Sequence, residues 1–226
     1  MMTSSLPRLA VFDMDGTLID SLPDLAACAD WLLSQYGLPG ITPEAVRPMI
    51  GDGVAVLVSR LLDHAGPAAA RIDRPEATAR YMARYTPHST DRSRPFPGTV
   101  AALTALHEAG WHMAVCTNKP VVAARHILKV MDLEKWFVTV GGGDSFGVRK
   151  PDPRHLLGTI EQAGGTPARA IMTGDHHNDV ACALGAHVPV LFARWGYGRP
   201  EMEAGATVGA DSITEVPHLA GELVPA

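Results

Sequence analysis

Short, continuous apolar runs alternate along much of the chain with segments of helical period. The runs are Leu9–Phe12, ending at Asp13, and Met113–Cys116, ending at Thr117 and Asn118. Residues 137–140 lead into Gly141-Gly142-Gly143-Asp144; Ala170-Ile171-Met172 ends at Thr173-Gly174-Asp175, and residues 188–192 form a last run. Unbroken apolarity over four or five residues marks strands buried on both faces. Between them the pattern predicts a helix over residues 99–109 stopped by Gly110, one over 120–131 opening on Pro120, and a short one over 178–184 closed by Gly185. Strands alternating with helices predict an α/β fold, a Rossmann-like parallel sheet core with helices on both faces.

Residues 21–93 differ. Leu22, Leu25, Ala26, Ala29, Leu32 and Leu33 keep helical spacing, Ser21 with Asp24 three residues on resembles a capping box, and Gly37 ends the segment. Thr42-Pro43-Glu44 opens a second helix, Val54 a third and Glu76 a fourth, with no strand pattern among them. The expected organisation is an α/β core of residues 1–20 and 94–226 with an inserted all-helical cap domain of residues 21–93. The connections near Ile19-Asp20 and Ser93-Arg94 are its expected hinges.

Composition narrows the function. The 226 residues carry 19 basic and 24 acidic side chains, a formal net charge of −5, with 46% hydrophobic residues. An acidic chain without basic runs does not suit nucleic acid. No apolar stretch approaches the ~18 residues of a membrane span. The first residues lack a signal-type apolar core, so a cytoplasmic protein is expected. Cys28, Cys116 and Cys182 lie widely spaced among apolar neighbours and read as buried thiols rather than a disulfide framework or zinc site.

In open parallel sheets, ligands bind beyond the carboxyl ends of the strands. Asp13 with Asp15, Thr117 with Asn118, and Asp175 with Asp179 follow three of the strands there, and Arg149-Lys150-Pro151 lies in a loop at the same edge. Carboxylates gathered in one place repel unless a cation or proton compensates. Oxygen ligands without cysteine suit a hard ion, Mg²⁺ first. A lysine among them points to an added anion, with phosphate the natural one. The set is suited to phosphoryl transfer.

Asp13-Met14-Asp15-Gly16-Thr17-Leu18 resembles the first motif of the haloacid dehalogenase-like superfamily. Thr117-Asn118-Lys119 is similar to its second motif, Lys150-Pro151 to its third and Gly174-Asp175-His176-His177-Asn178-Asp179 to its fourth, all in order over nearly the whole chain. The Ile50-Gly51-Asp52-Gly53-Val54 turn, Phe96-Pro97-Gly98 and the stretch from Gly143-Asp144-Ser145 to Lys150-Pro151-Asp152-Pro153 are most similar to phosphoglycolate phosphatases. The resemblance implies that Asp13 is the nucleophile, forming an aspartyl-phosphate, and that Asp15 is the acid and base toward the leaving alcohol and the water. It implies Mg²⁺ at Asp13, the Asp15 carbonyl and Asp175, with Asp179 as a direct or outer partner. Gly16, Thr117, Asn118 and Lys150 are implied around the phosphate, Lys150 neutralising its charge. His176 departs from the small hydroxyl residue usual at its position.

The implied activity is Mg²⁺-dependent hydrolysis of a small phosphorylated metabolite, first 2-phosphoglycolate, by a monomer or homodimer. Another phosphate ester, pyrophosphate or a phosphosugar mutase reaction stays open. A phosphonate-cleaving enzyme would want a cap lysine, and residues 21–93 contain none. A phospho-accepting receiver module also clusters carboxylates, Thr and Lys at strand ends, but Asp15 and the helical insertion argue against it. In the cap, Arg60, Arg84, His88 and Arg92 are candidates for a substrate carboxylate, weighed against solvated helix faces. Asp52 is an awkward neighbour for an anion.

Overall fold

The computed structural model describes residues 6–226; residues 1–5, part of the start read above as lacking a signal, lie outside the described residues. Elements follow in chain order: β1 (Leu9–Phe12), β2 (Ile19–Asp20), α1 (Leu22–Gln35), α2 (Pro43–Val46), α3 (Val54–His64), α4 (Arg74–His88) and β3 (Arg94–Pro95). Then come α5 (Thr99–Glu108), β4 (His112–Cys116), α6 (Val121–Val130), β5 (Thr139–Gly141), α7 (Pro153–Gln162), β6 (Ala170–Gly174), α8 (His177–Gly185), β7 (Val190–Ala193), β8 (Val208–Ala210) and α9 (Val216–Leu223).

One compact unit comprises the chain up to Ile19 together with Pro95–Ala226. Its six strands form a parallel sheet in the order β5-β4-β1-β6-β7-β8. Alternate residues point to opposite faces. Leu9 and Val11 of β1, Ala114 and Cys116 of β4, and Ala170 and Met172 of β6 share one core with Leu156 and Ile160 of α7 and with Val180, Cys182 and Ala183 of α8. α5 packs on β4, α6 on β5 and α9 on β6. From β1 the chain crosses to β4, whereas from β6 it crosses to β7 on the opposite side. The crevice between the ends of β1 and β6 is therefore the switch point where such sheets bind ligands.

The other unit is Asp20–Arg94, whose regular elements from α1 to α4 are helical. Tyr81 and Tyr85 of α4 stack with centroids 5.9 Å apart, both buried, and the Tyr81 hydroxyl donates to the Leu25 carbonyl of α1 at 3.0 Å. The capping box expected of Ser21 and Asp24 is not formed, since Ser21 makes no side-chain cap. Instead the buried Asp24 carboxylate accepts from Arg92 N–H, Ser93 N–H and the Ser93 hydroxyl, the last at 2.7 Å. Its longer-range partners outcompete the local cap and tie the start of α1 to the segment leaving the unit.

Two strand boundaries also shift. A 3₁₀ turn over Glu134–Trp136 delays β5 to Thr139, and Val188 N–H caps the end of α8 at the Ala183 carbonyl, delaying β7 to Val190.

Candidate active site

The strand β1 ends in a tight loop. Asp13 N–H continues the ladder to the Thr173 carbonyl of β6 at 2.8 Å, and the Met14 carbonyl accepts from Leu18 and Ile19 N–H, both at 3.0 Å. Gly16 takes φ 86°, where a side chain is strained, and a Cβ there would lie 2.8 Å from the carboxyl carbon of Asp175. Glycine thus lets the first loop come against the end of β6. The Thr17 hydroxyl seals the join by donating to Asp175 Oδ1 at 2.9 Å.

Carboxylate oxygens of Asp13, Asp175 and Asp179, all three buried, lie within 4.8 Å of one another. Lys150 from the β5–α7 loop places its buried ammonium 2.9 Å from Asp13 Oδ1 and 2.6 Å from Asp179 Oδ1. Burial opposes the lysine's charge, but Asp13 and Asp179 outweigh it and hold its pKa above the ordinary value. One ammonium does not balance three carboxylates. Burial first, then Asp13 and Asp179, push the Asp175 carboxyl up to about 8. Burial and Asp179 push Asp13 up to about 6 against the pull of Lys150. Asp13 Oδ1 accepts no well-aligned hydrogen bond despite the nearby ammonium. A buried, oxygen-only donor set with excess negative charge fits a hard divalent cation.

Asp179 uses both oxygens. Besides Lys150, it accepts His176 N–H at 3.0 Å, while the His176 ring accepts Asn178 N–H at 3.3 Å, forming the capping box of α8. The ring nitrogen of His176 thus does the N-cap work of a small hydroxyl side chain.

Asp175 lies against Asp13 and Asp179, Asp15 pairs with Lys119, and Thr117 and Asn118 follow the end of β4, which pairs with β1. The Asn118 amide, expected on the phosphate, donates to the Lys150 carbonyl at 3.0 Å, so its side chain braces the lysine. His155 of α7, assigned no role from the sequence, completes that brace by accepting Lys150 N–H at its Nδ1, 3.1 Å away. Burial, then Lys150, lower the His155 pKa to about 4, which keeps the ring neutral and Nδ1 an acceptor. The 195–198 segment is a second omission. Trp195 Nε1–H donates to the Thr17 carbonyl at 2.9 Å and Tyr197 N–H to Asp175 Oδ2 at 2.8 Å. The only sequence signal was a Trp-Gly-Tyr-Gly loop after a buried strand.

Lys119 also lacked a role, and its ammonium lies 3.0 Å from Asp15 Oδ2. In the helical unit, Arg60 pairs with Asp52 at 2.6 Å. Arg84 lies over the Trp31 ring and His88 pairs with Asp91.

Residues 10–193 match the haloacid dehalogenase-like hydrolase family. A phosphoglycolate phosphatase of Agrobacterium fabrum is 38% identical over 202 residues, covering 87% of this chain and 84% of that protein. One of Pseudomonas putida is 40% identical over 202 residues, covering 87% and 73%. A crystal structure from Haemophilus somnus, described as a predicted phosphoglycolate phosphatase, superposes with TM-score 0.88 at 28% identity, covering 96% of this chain and 99% of that one. No helix among the described residues is long and apolar enough to cross a membrane. Motif order, the carboxylate cluster at the switch point and these likenesses agree: the chain belongs to the haloacid dehalogenase-like hydrolases and is a phosphoglycolate phosphatase-like member of that family.

Proposed function

We propose that the protein hydrolyses 2-phosphoglycolate to glycolate and phosphate through an aspartyl-phosphate on Asp13. The observation that carries the reading is the buried Asp13–Asp175–Asp179 cluster with Lys150 at the switch point. The Asp13 carboxylate attacks phosphorus, the P–O bond to glycolate breaks, and Asp15 delivers its proton to the leaving oxygen. Asp15 then takes a proton from the water that attacks phosphorus and frees Asp13. Lys150 neutralises charge on the phosphoryl oxygens in flight, held by Asp179 from one side and by Asn118 and His155 through its own peptide. The Thr117 hydroxyl accepts Lys119 N–H at 3.3 Å, an arrangement that keeps its proton for a phosphoryl oxygen. Gly16 allows the backbone close to the phosphate.

Mg²⁺ held by Asp13, the Asp15 carbonyl and Asp175, with Asp179 outside them, would offset the charge between nucleophile and phosphate. The named activity of relatives at 38–40% identity supports the substrate, and buried free thiols fit a reducing cytoplasm.

The test is phosphate release from a panel of 2-phosphoglycolate, sugar phosphates, pyrophosphate and p-nitrophenyl phosphate, with and without Mg²⁺. The expected result is Mg²⁺-dependent turnover with 2-phosphoglycolate leading in kcat/KM. A sugar phosphate or pyrophosphate leading by tenfold would replace the substrate, and absence of turnover on all would replace the reaction.

A further inference from the structure

Lys119 is a second buried cation at the site, and the phosphoryl chemistry already has Lys150. The Lys119 side chain is 6% exposed, with its ammonium 3.0 Å from Asp15 Oδ2. Its backbone is fixed at both ends, N–H donating to Thr117 Oγ1 at 3.3 Å and the carbonyl accepting Gly143 N–H at 2.9 Å. The approach needs glycine, because a Cβ on Gly143 would lie 2.5 Å from the Asn118 carbonyl oxygen and one on Gly142 2.5 Å from Val121 N. Asp144 locks the same seam by accepting Val121 N–H at 2.8 Å. The glycine run after β5 therefore holds Lys119 beside the carboxylate that faces the leaving oxygen.

We infer that Lys119 is the counter-ion for a carboxylate borne by the leaving group, making the site selective for esters whose phosphoester carbon itself bears that carboxylate. The inference rests on the proposed role of Asp15 and deepens the reading of the substrate. A hydrogen bond from Asp15 to the ester oxygen spans about 2.7 Å. In such a substrate, a carboxylate oxygen lies about 3 Å from the ester oxygen, three bonds away through the phosphoester and carboxyl carbons. That reach brings it to an ammonium hydrogen-bonded to Asp15. One more carbon carries the carboxylate past the ammonium. An ammonium has three donors and can bridge Asp15 and the substrate carboxylate. Burial strengthens both attractions relative to water.

The test compares 2-phosphoglycolate with ethyl phosphate, in which a methyl group replaces the carboxylate, in the wild type, Lys119→Met and Lys119→Arg, with thermal melts as a fold check. Methionine keeps the length of the side chain without its charge. The expected result is a fall of at least ~30-fold in the kcat/KM ratio of the two substrates in Lys119→Met, carried mainly by KM for 2-phosphoglycolate, with part of it restored in Lys119→Arg. Equal losses on both substrates would overturn the inference while leaving the phosphatase reading intact. A wild type with no preference for 2-phosphoglycolate would overturn the inference and the proposed substrate together. Should Lys119→Met not fold, inhibition of the wild type decides: glycolate is expected to compete at concentrations where ethanol and 3-hydroxypropanoate do not, and equal inhibition by all three would overturn the inference.

Discussion

Replacing Asp175 by asparagine should stabilise the metal-free protein at high pH while abolishing its response to Mg²⁺. The Asp175 carboxyl is pushed from 3.8 up to about 8 in the folded state, by burial first and then by Asp13 and Asp179. Because the folded pKa is raised, the cost is small below the unfolded value and grows as pH rises toward the folded one. At 1.36 kcal/mol per pKa unit, folding is penalised by about 1 kcal/mol near pH 4.5 and on the order of 5 kcal/mol near pH 8.5. Asparagine removes the titration but points an NH₂ at either Thr17 or Tyr197 N–H, which costs about 1–3 kcal/mol. The balance is a gain of roughly 2–4 kcal/mol at pH 8.5, or about 5–10 °C in Tm for a chain of this size. Near pH 4.5 the variant should be no more stable than the wild type. Circular-dichroism melts of both proteins in EDTA across that pH range measure it. A Tm difference that does not change with pH would refute the reasoning, as would an equal rise in Tm of both proteins on adding Mg²⁺.

Gly16→Ala should lower kcat at least ~100-fold and destabilise the fold by about 1–3 kcal/mol, since φ 86° is strained for alanine and its Cβ strikes the Asp175 carboxylate; phosphatase assays and melts read both. His155→Leu should lower kcat about tenfold with little change in KM, while His155→Asn, which keeps an acceptor near Nδ1, recovers much of it; steady-state kinetics of the pair check this. Asp24→Ala leaves the Arg92 and Ser93 donors without their acceptor and should cost about 2–4 kcal/mol, read as faster amide exchange at residues 92 and 93.

The residues that chemistry gathers at the switch point were legible because each follows an unbroken apolar run. A parallel strand covered on both faces is apolar along most of its length, so Asp13 and Thr117 stand out as the first polar residues beyond their runs and Asp175 as the first charged residue beyond Ala170-Ile171-Met172. β8 did not stand out, being three residues of Val-Gly-Ala. α7 was hidden by Gly158, which breaks the helical pattern because a Cβ there would lie 3.0 Å from the Phe146 ring. Its start was marked all the same, by Asp152 as N-cap and Pro153 in the first turn. The bracing residues were illegible for a different reason. Asp24 finds its partners 68 and 69 positions away, and Trp195 reaches Thr17 across 178. Local pattern carries no record of such pairings, so a local capping box was read where the fold builds a long-range tie. Lys119 and His155 are ordinary in sequence and acquire their roles only when the ends of β4 and β5 and the loop before α7 converge.

The measurement nearest the centre of the account is to quench the enzyme in acid during turnover of labelled 2-phosphoglycolate with Mg²⁺ and map the label by mass spectrometry. One phosphoryl group is expected on the peptide carrying Asp13, labile to hydroxylamine, and none in Asp13→Asn. Label on another residue, or turnover by Asp13→Asn at the wild-type rate, would contradict it.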